Sequence, residues 1–101
     1  MAEEETQAAQ VVLNPADERW EIARDGHLAF LAYMRHDDLL YLVHTEVPPE
    51  LGGQGLAQQL VRTAADFARA EGLTVIPFCP FARSWLKRHR KEFEEVVRWD
   101  D

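Results

Sequence analysis

The sequence predicts a mixed α/β domain in which an antiparallel meander of strands leads into a strand–helix–strand crossover. Three observations predict it. Residues 20–47 hold three apolar, strand-like segments that are separated by two turn signals. From residue 56 to residue 70 the spacing of apolar residues becomes that of a helix. A short apolar strand and a second helical segment then follow. Together they predict a mixed, mostly antiparallel central sheet with two main helices.

The three strands of the predicted meander differ in how apolar they are. WEIAR (20–24) alternates apolar and polar residues, as a half-buried strand does, and the Asp-Gly pair at 25–26 is a strong hairpin signal. HLAFLAYMRH (27–36) is longer and more apolar, and two aspartates at 37–38 mark the next turn. LLYLVHTEV (39–47) is the most apolar of the three. We therefore expect it to be central and covered on both faces.

Two helices are predicted after the meander. The first, at 56–70, carries a single apolar stripe formed by Ala57, Leu60, Val61, Ala64 and Ala68. Gly72 is a suitable C-terminal stop for this helix. TVIPF (74–78) predicts a short buried strand, and a proline opens the second helix at roughly 80–90. The residues around 96–99 could add a final strand.

Length, charge and cysteine content exclude several classes of protein. The 101 residues have the length of one domain, which we place at 11–101 after a flexible acidic tail at 1–10. No apolar run approaches the ~20 residues of a membrane span, and a net charge of −7 argues against a nucleic-acid binder. The single cysteine, Cys79, excludes an intrachain disulfide and a multi-cysteine metal site, so we predict no metal. The acidic N-terminus lacks the features of a signal peptide, so we expect a cytoplasmic protein. We expect the protein to be either a monomer or a weak homodimer.

The stretch PPELGGQGLAQQL (48–60) is the least ordinary part of the sequence. Its three glycines can take positive φ and let a ligand approach the backbone closely. No Ser, Thr, Asp or Asn precedes the helix to cap its first amides. Uncapped amides at a helix N-terminus bind anions, so we predict that the amides from Gly53 to Ala57 hold a phosphate. The alternative is that the glycines only turn a corner and that water solvates the amides.

Two nucleotide-binding motifs do not fit this stretch. A P-loop requires Lys followed by Ser or Thr after its last glycine, where this chain has Leu56 and Ala57. A dinucleotide-binding fold requires a further Gly or Ala and an acid at the end of the next strand. This chain has Gln58 and Cys79 at those places. Both nucleotide interpretations therefore fail.

A third pattern fits better. HTEVPPELGGQGLAQQLV resembles the acetyl-CoA-binding motif of the GNAT superfamily of N-acetyltransferases, Arg/Gln-x-x-Gly-x-Gly/Ala, which here reads Glu50-Leu51-Gly52-Gly53-Gln54-Gly55. The last two glycines match, whereas Glu50 departs from the usual first residue. With the later PFCPF and a helix containing Trp85, the chain resembles very small GNAT-like proteins over roughly residues 11–97.

The resemblance implies an acetyl-CoA site and an N-acetyltransferase activity. In GNAT proteins the pyrophosphate of CoA lies on the amides of this loop, which implies a cofactor site formed by Gly52, Gly53, Gln54, Gly55, Leu56 and Ala57. The pantetheine arm would lie beside the end of strand 39–47, with the amide of Val47 near the thioester oxygen. The acceptor would be a primary amine on a small molecule or a protein.

Three side chains are candidates for the chemistry. An amine with a pKa near ~10.4 must lose a proton before it attacks a thioester. Glu46 stands at the carboxyl end of its strand, beside Val47, and is the candidate base, although it could equally be a solvated carboxylate. His44 shares a face with Glu46 and could orient it, although we expect a hydrogen-bonded core histidine.

Cys79 precedes a proline at a predicted helix N-terminus, a position that can lower a thiol pKa. It could carry an acetyl group, donate a proton to CoA or line the thioester pocket, although a lone cysteine is most often a small buried apolar residue. GNAT enzymes often use a tyrosine as acid in this region, where this chain has Phe81 and Trp85. We therefore predict direct acetyl transfer from acetyl-CoA to a primary amine. The alternative is a CoA-binding or protein-interaction module with little or no catalytic activity.

Overall fold

A computed structural model describes residues 10–99 of the chain, so the predicted tail at 1–10 lies outside the described residues except for Gln10. The fold is mixed α/β, as the sequence predicts. Its strands are β1 (Val12–Asn14), β2 (Arg19–Arg24), β3 (His27–His36), β4 (Leu39–Glu46) and β5 (Thr74–Pro77). Its helices are a 3₁₀ turn (Pro49–Leu51), α1 (Leu56–Glu71), α2 (Pro80–Arg88) and α3 (Arg90–Phe93).

The five strands form one sheet in the order β1-β2-β3-β4-β5. The first four are antiparallel, and β5 runs parallel to β4 after the crossover through α1. The three-residue strand β1 has no counterpart in the sequence prediction because a segment this short leaves too little alternation to detect. The predicted final strand is reduced to a single parallel bridge between Val75 and Val97.

Both main helices cover one face of the sheet. α1 packs on β2, β3, β4 and β5, and α2 packs on α1, β4 and β5, within one hydrophobic core. The largest buried side chains of this core are Trp20 and Trp85. The opposite face of β4 is open, since Val43 is 38% exposed, and the neighbouring Met34 of β3 is 51% exposed. The prediction that this strand is covered on both faces is therefore wrong, because both main helices of the described residues pack on the same face of the sheet.

A β-bulge in β4 changes which side chains face the helices. β3 and β4 pair from His36–Leu39 to Tyr33–Leu42, and pairing resumes at Ala32–His44, so Val43 is one extra residue on β4. Without a bulge, strand alternation would place residues 40, 42, 44 and 46 on one face. With it, Leu40, Leu42 and Thr45 face the helices, whereas His44 and Glu46 turn to the outer face.

Charged side chains connect α3 to α1 by hydrogen bonds. Arg62 donates two hydrogen bonds to Glu92, at 2.6 and 3.3 Å, and Arg69 donates to the carbonyl of Glu92 at 2.6 Å. The hydrogen bond from Arg62 lowers the pKa of the Glu92 carboxyl below its ordinary value. Both guanidiniums also lie over the ring of Phe93. Among residues 10–99, no helix has the length and apolar character needed to cross a membrane.

Candidate active site

The segment between β4 and α1 presents uncapped backbone amides. After the 3₁₀ turn, Gly53 and Gly55 have φ of 77° and 73°, the left-handed region in which side chains are disfavoured. Gly55 is the N-cap of α1, and no side chain caps the helix. The carbonyl of Gly55 accepts the hydrogen bond from the amide of Gln59 at 3.2 Å. The first amides of α1 are therefore directed out of a helix N-terminus that carries partial positive charge.

A cleft of about 360 Å³ opens beside these amides. Its walls are the end of β4, the segment 52–55 (the glycine loop), the first turn of α1 and the ring of Phe81 from α2. The lining residues are Val47, Pro48, Pro49, Leu51, Gly52, Gly53, Gly55, Leu56, Ala57, Gln58 and Phe81. Six of the seven residues predicted to bind the cofactor are among them. Gln54 is not; its side chain accepts a hydrogen bond from Arg24.

His44 and Glu46 lie together on the outer face of the sheet. They are the catalytic candidates at the carboxyl end of β4. His44 Nε2 is 3.1 Å from Glu46 Oε1, and both side chains are about 60% exposed. The ring of Phe30 lies beside that of His44, with centroids 6.0 Å apart. The expectation that His44 is a core histidine is wrong, since the bulge at Val43 turns it outward.

Cys79 lies on the inner face and is 3% exposed. It is the N-cap of α2, as its position before a proline predicts, and its Sγ lies 3.1 Å from Oγ1 of Thr45. β4 and β5 separate at this point. The last ladder pair is Leu42–Pro77, and the amides of Phe78 and Cys79 both donate to the carbonyl of Leu42. The Thr45–Cys79 contact therefore spans the gap between the parting strands.

The structure thus separates the candidate catalytic groups. Adjacent residues of a strand face opposite sides of the sheet, so Glu46 lies on the outer face and Thr45, with Cys79, on the inner face. None of Glu46, His44 and Cys79 lines the cleft, although Val47, which directly follows Glu46, does. Thr45 is a site residue that sequence reasoning missed, because its orientation depends on the bulge, which no residue pattern marks.

Comparison with known proteins identifies the family. The family model for GCN5-related N-acetyltransferases matches residues 19–96, which include β2 through β5, the glycine loop and both main helices. The chain belongs to this family. This GCN5-related N-acetyltransferase therefore has the fold that the resemblance implies, and the general activity of its family is acetyl transfer.

A solved structure supports the same assignment. The GCN5-related N-acetyltransferase is similar to a GCN5-like protein from Staphylococcus aureus whose solution structure was determined by NMR. The two chains superpose with a TM-score of 0.73 at 26% sequence identity, over 92% of this chain and 91% of the other. The similarity therefore extends over nearly the full length of both chains.

Proposed function

We propose that this acetyltransferase binds acetyl-CoA in the cleft beside the glycine loop and transfers the acetyl group to a primary amine by direct attack. The observation that carries the proposal is the uncapped start of α1, which presents amides to a cleft lined by two glycines with positive φ. A phosphate would fill the place of the missing cap. Membership of the family supports CoA as the source of that phosphate.

The cleft is suited to both ends of the cofactor. The amides from Gly53 to Ala57 would hold the pyrophosphate, and the apolar wall formed by Val47, Leu51 and Phe81 would contact the pantetheine arm. Its volume of about 360 Å³ falls at the lower end of the roughly 300–1,000 Å³ of ligand sites. Acetyl-CoA supplies the activated thioester, and the backbone amide of Val47 would donate a hydrogen bond to its carbonyl oxygen.

Glu46 is the proposed base. An aliphatic ammonium with a pKa near ~10.4 must be deprotonated before its nitrogen attacks the acetyl carbon. The exposed carboxylate of Glu46 can accept that proton directly or through water. The imidazole of His44, 3.1 Å away, fixes the position of the carboxylate and is proposed as a positioning residue.

Cys79 is the proposed acid for the leaving thiolate. When the carbon–sulfur bond of the thioester breaks, the thiolate must take up a proton, and Phe81 and Trp85 cannot supply one. The Sγ–H of Cys79 can, and Thr45 Oγ1 holds the sulfur in place at 3.1 Å. A route in which Cys79 itself carries the acetyl group remains the competing mechanism for the same residue.

The opposite orientations of Glu46 and Cys79 favour a second candidate function, a CoA-binding module that transfers acetyl groups slowly or not at all. An acceptor amine must reach both the outer-face carboxylate and a thioester in the cleft, and Glu46 does not line that cleft. The two functions share the cofactor site. They differ in whether the protein catalyses acetyl transfer to an amine.

Thermal unfolding with three ligands, followed by turnover, tests the proposal. CoA should raise the Tm, whereas ATP and NAD at equal concentration should raise it much less, because a ligand stabilises only the state that it binds. Stabilisation by NAD equal to that by CoA would reject the assigned cofactor. Release of CoA from acetyl-CoA with a panel of small amines and lysine peptides then distinguishes the enzyme from the module.

A further inference from the structure

Among residues 10–99, no charged side chain lines the cleft to neutralise a phosphate. The chain as a whole carries a net charge of −7. The helix N-terminus supplies only about half a positive charge. A cofactor that carries several phosphate charges therefore needs a cation from outside the residues that line the cleft.

The hairpin between β2 and β3 brings a cation to the loop. Arg24 and His27 are register partners that flank the tight turn at Asp25 and Gly26, so their side chains share one face of the sheet. Alternation along β2 places Arg24 on the same face as the buried Ile22, which is the face that α1 covers. The hairpin end therefore lies against the segment that leads into α1.

Two side-chain contacts join this hairpin to the glycine loop. The guanidinium of Arg24 donates a hydrogen bond to Oε1 of Gln54, which lies between the two glycines with positive φ. His27 Nδ1 lies 3.8 Å from Oε1 of Glu50, on the side of the loop nearest β4. The first contact holds a full positive charge beside Gln54, whose sequence neighbours Gly53 and Gly55 line the cleft. The second keeps the Glu50 carboxylate, which would repel a phosphate, beside an imidazole of the hairpin.

We infer that Arg24 binds the phosphates of CoA and is the residue that makes the cleft selective for a phosphorylated ligand. The inference rests on the proposed function. In the described structure the guanidinium has a neutral amide oxygen as its acceptor. A phosphate oxygen is a stronger acceptor for it, because it carries a negative charge that attracts the guanidinium more strongly than a neutral amide oxygen does. The planar guanidinium also matches two phosphate oxygens at once.

Titration calorimetry of single-residue variants tests this role. Arg24→Gln should weaken CoA about tenfold at low ionic strength, and the loss should shrink as salt is added, because salt screens an exposed charge. Arg24→Lys should restore most of the affinity. The matched control is Arg35→Gln, which changes the net charge equally. Arg35 lies at the far end of β3, and the rise per residue of a strand places it roughly 25 Å from the hairpin. It should bind CoA as wild type does.

Shorter ligands identify the phosphate. Pantetheine, which has no phosphate, should bind wild type and Arg24→Gln equally. Dephospho-CoA should lose affinity in Arg24→Gln as CoA does if the guanidinium contacts the pyrophosphate, and should lose none if it contacts the 3′-phosphate. Either result supports the inference.

Two results would overturn it. The first is unchanged CoA affinity in a folded Arg24→Gln variant. The second is a loss that is independent of salt and equal for pantetheine, which would mean that Arg24 only holds the loop through Gln54. Failure of the proposed function gives a different result, since wild type itself would then not bind CoA.

Discussion

Gly55 and Gly72 allow a matched test of the proposed phosphate site because they stand at opposite ends of α1 in nearly the same conformation. Their φ angles are 73° and 72°, and a Cβ on either would meet no other residue within 4 Å. Alanine at either position should therefore cost about 1–2 kcal/mol of stability, the cost of a left-handed backbone for a residue with a side chain. Of the two glycines, Gly55 lines the cleft and Gly72 does not.

The expected difference appears only when CoA is present. With ligand at one hundred times its Kd, binding stabilises wild type by about 2.7 kcal/mol. We expect a methyl group at Gly55 to weaken CoA tenfold, since it prevents the close approach of a phosphate to the backbone. Stabilisation at the same CoA concentration then falls to about 1.4 kcal/mol. Because 1 kcal/mol shifts the Tm of a domain of this size by about 4–8 °C, the rise caused by CoA should be about 5–10 °C smaller in Gly55→Ala.

The assay is differential scanning calorimetry of Gly55→Ala and Gly72→Ala with and without CoA. Both variants should unfold at a similarly lowered Tm without ligand, and Gly72→Ala should keep the full rise of the wild type. Equal rises in the two variants would refute the assignment of the loop as the phosphate site. If Gly55→Ala does not fold, Gly53→Ala, with a φ of 77°, gives the same comparison.

Three further predictions concern single side chains. Glu46→Gln should lower the transfer rate by roughly 10²–10⁴ with CoA affinity unchanged, and the loss should shrink as pH rises because more of the amine is already neutral; a rate equal to that of wild type would exclude Glu46 as the base. Cys79→Ala should slow transfer, and the intact mass of wild type incubated with acetyl-CoA alone should show no acetyl-Cys79; an adduct that forms as fast as turnover would establish the covalent route. Because Arg62 lowers the pKa of Glu92, the stabilisation from this pair is complete above the ordinary carboxyl pKa of 4.5 and is lost as pH falls through the lowered value. The Tm of wild type should accordingly fall more steeply than that of Glu92→Gln below pH 4.5, and parallel curves would contradict this reasoning.

Much of the fold could be predicted because its signals are local. The Asp-Gly turn at 25–26 fixes the hairpin between β2 and β3, and both of its central residues take positive φ as such a turn requires. The apolar stripe from Leu60 to Ala68 fixes the buried face of α1, and Gly72 ends the helix in the left-handed conformation. Each of these features depends on a few neighbouring residues, and the sequence displays them directly.

The arrangement of the site could be predicted only in part. The glycine loop and the start of α1 are contiguous in sequence, so their five cleft-lining residues, Gly52, Gly53, Gly55, Leu56 and Ala57, could be identified together. The bulge at Val43 depends instead on how β3 and β4 pair, and it reverses the faces of the residues that follow. For this reason the sequence indicated neither the outward position of His44 nor the contact of Thr45 with Cys79. The contact between Arg24 and Gln54 joins residues 30 positions apart, a separation at which sequence patterns give no signal.

The order of strands in the sheet has a consequence for folding kinetics. Since β1 to β5 lie side by side in chain order, each antiparallel pair can form by closing a short turn. The pairing of β4 with β5 is different, because the segment that connects them contains α1 and these parallel strands are far apart in sequence. Pairing of strands that are distant in sequence is slow, and the glycine loop lies in this connecting segment. A ligand that joins the loop to the end of β4 would stabilise contacts formed late, so it should slow unfolding far more than it speeds folding.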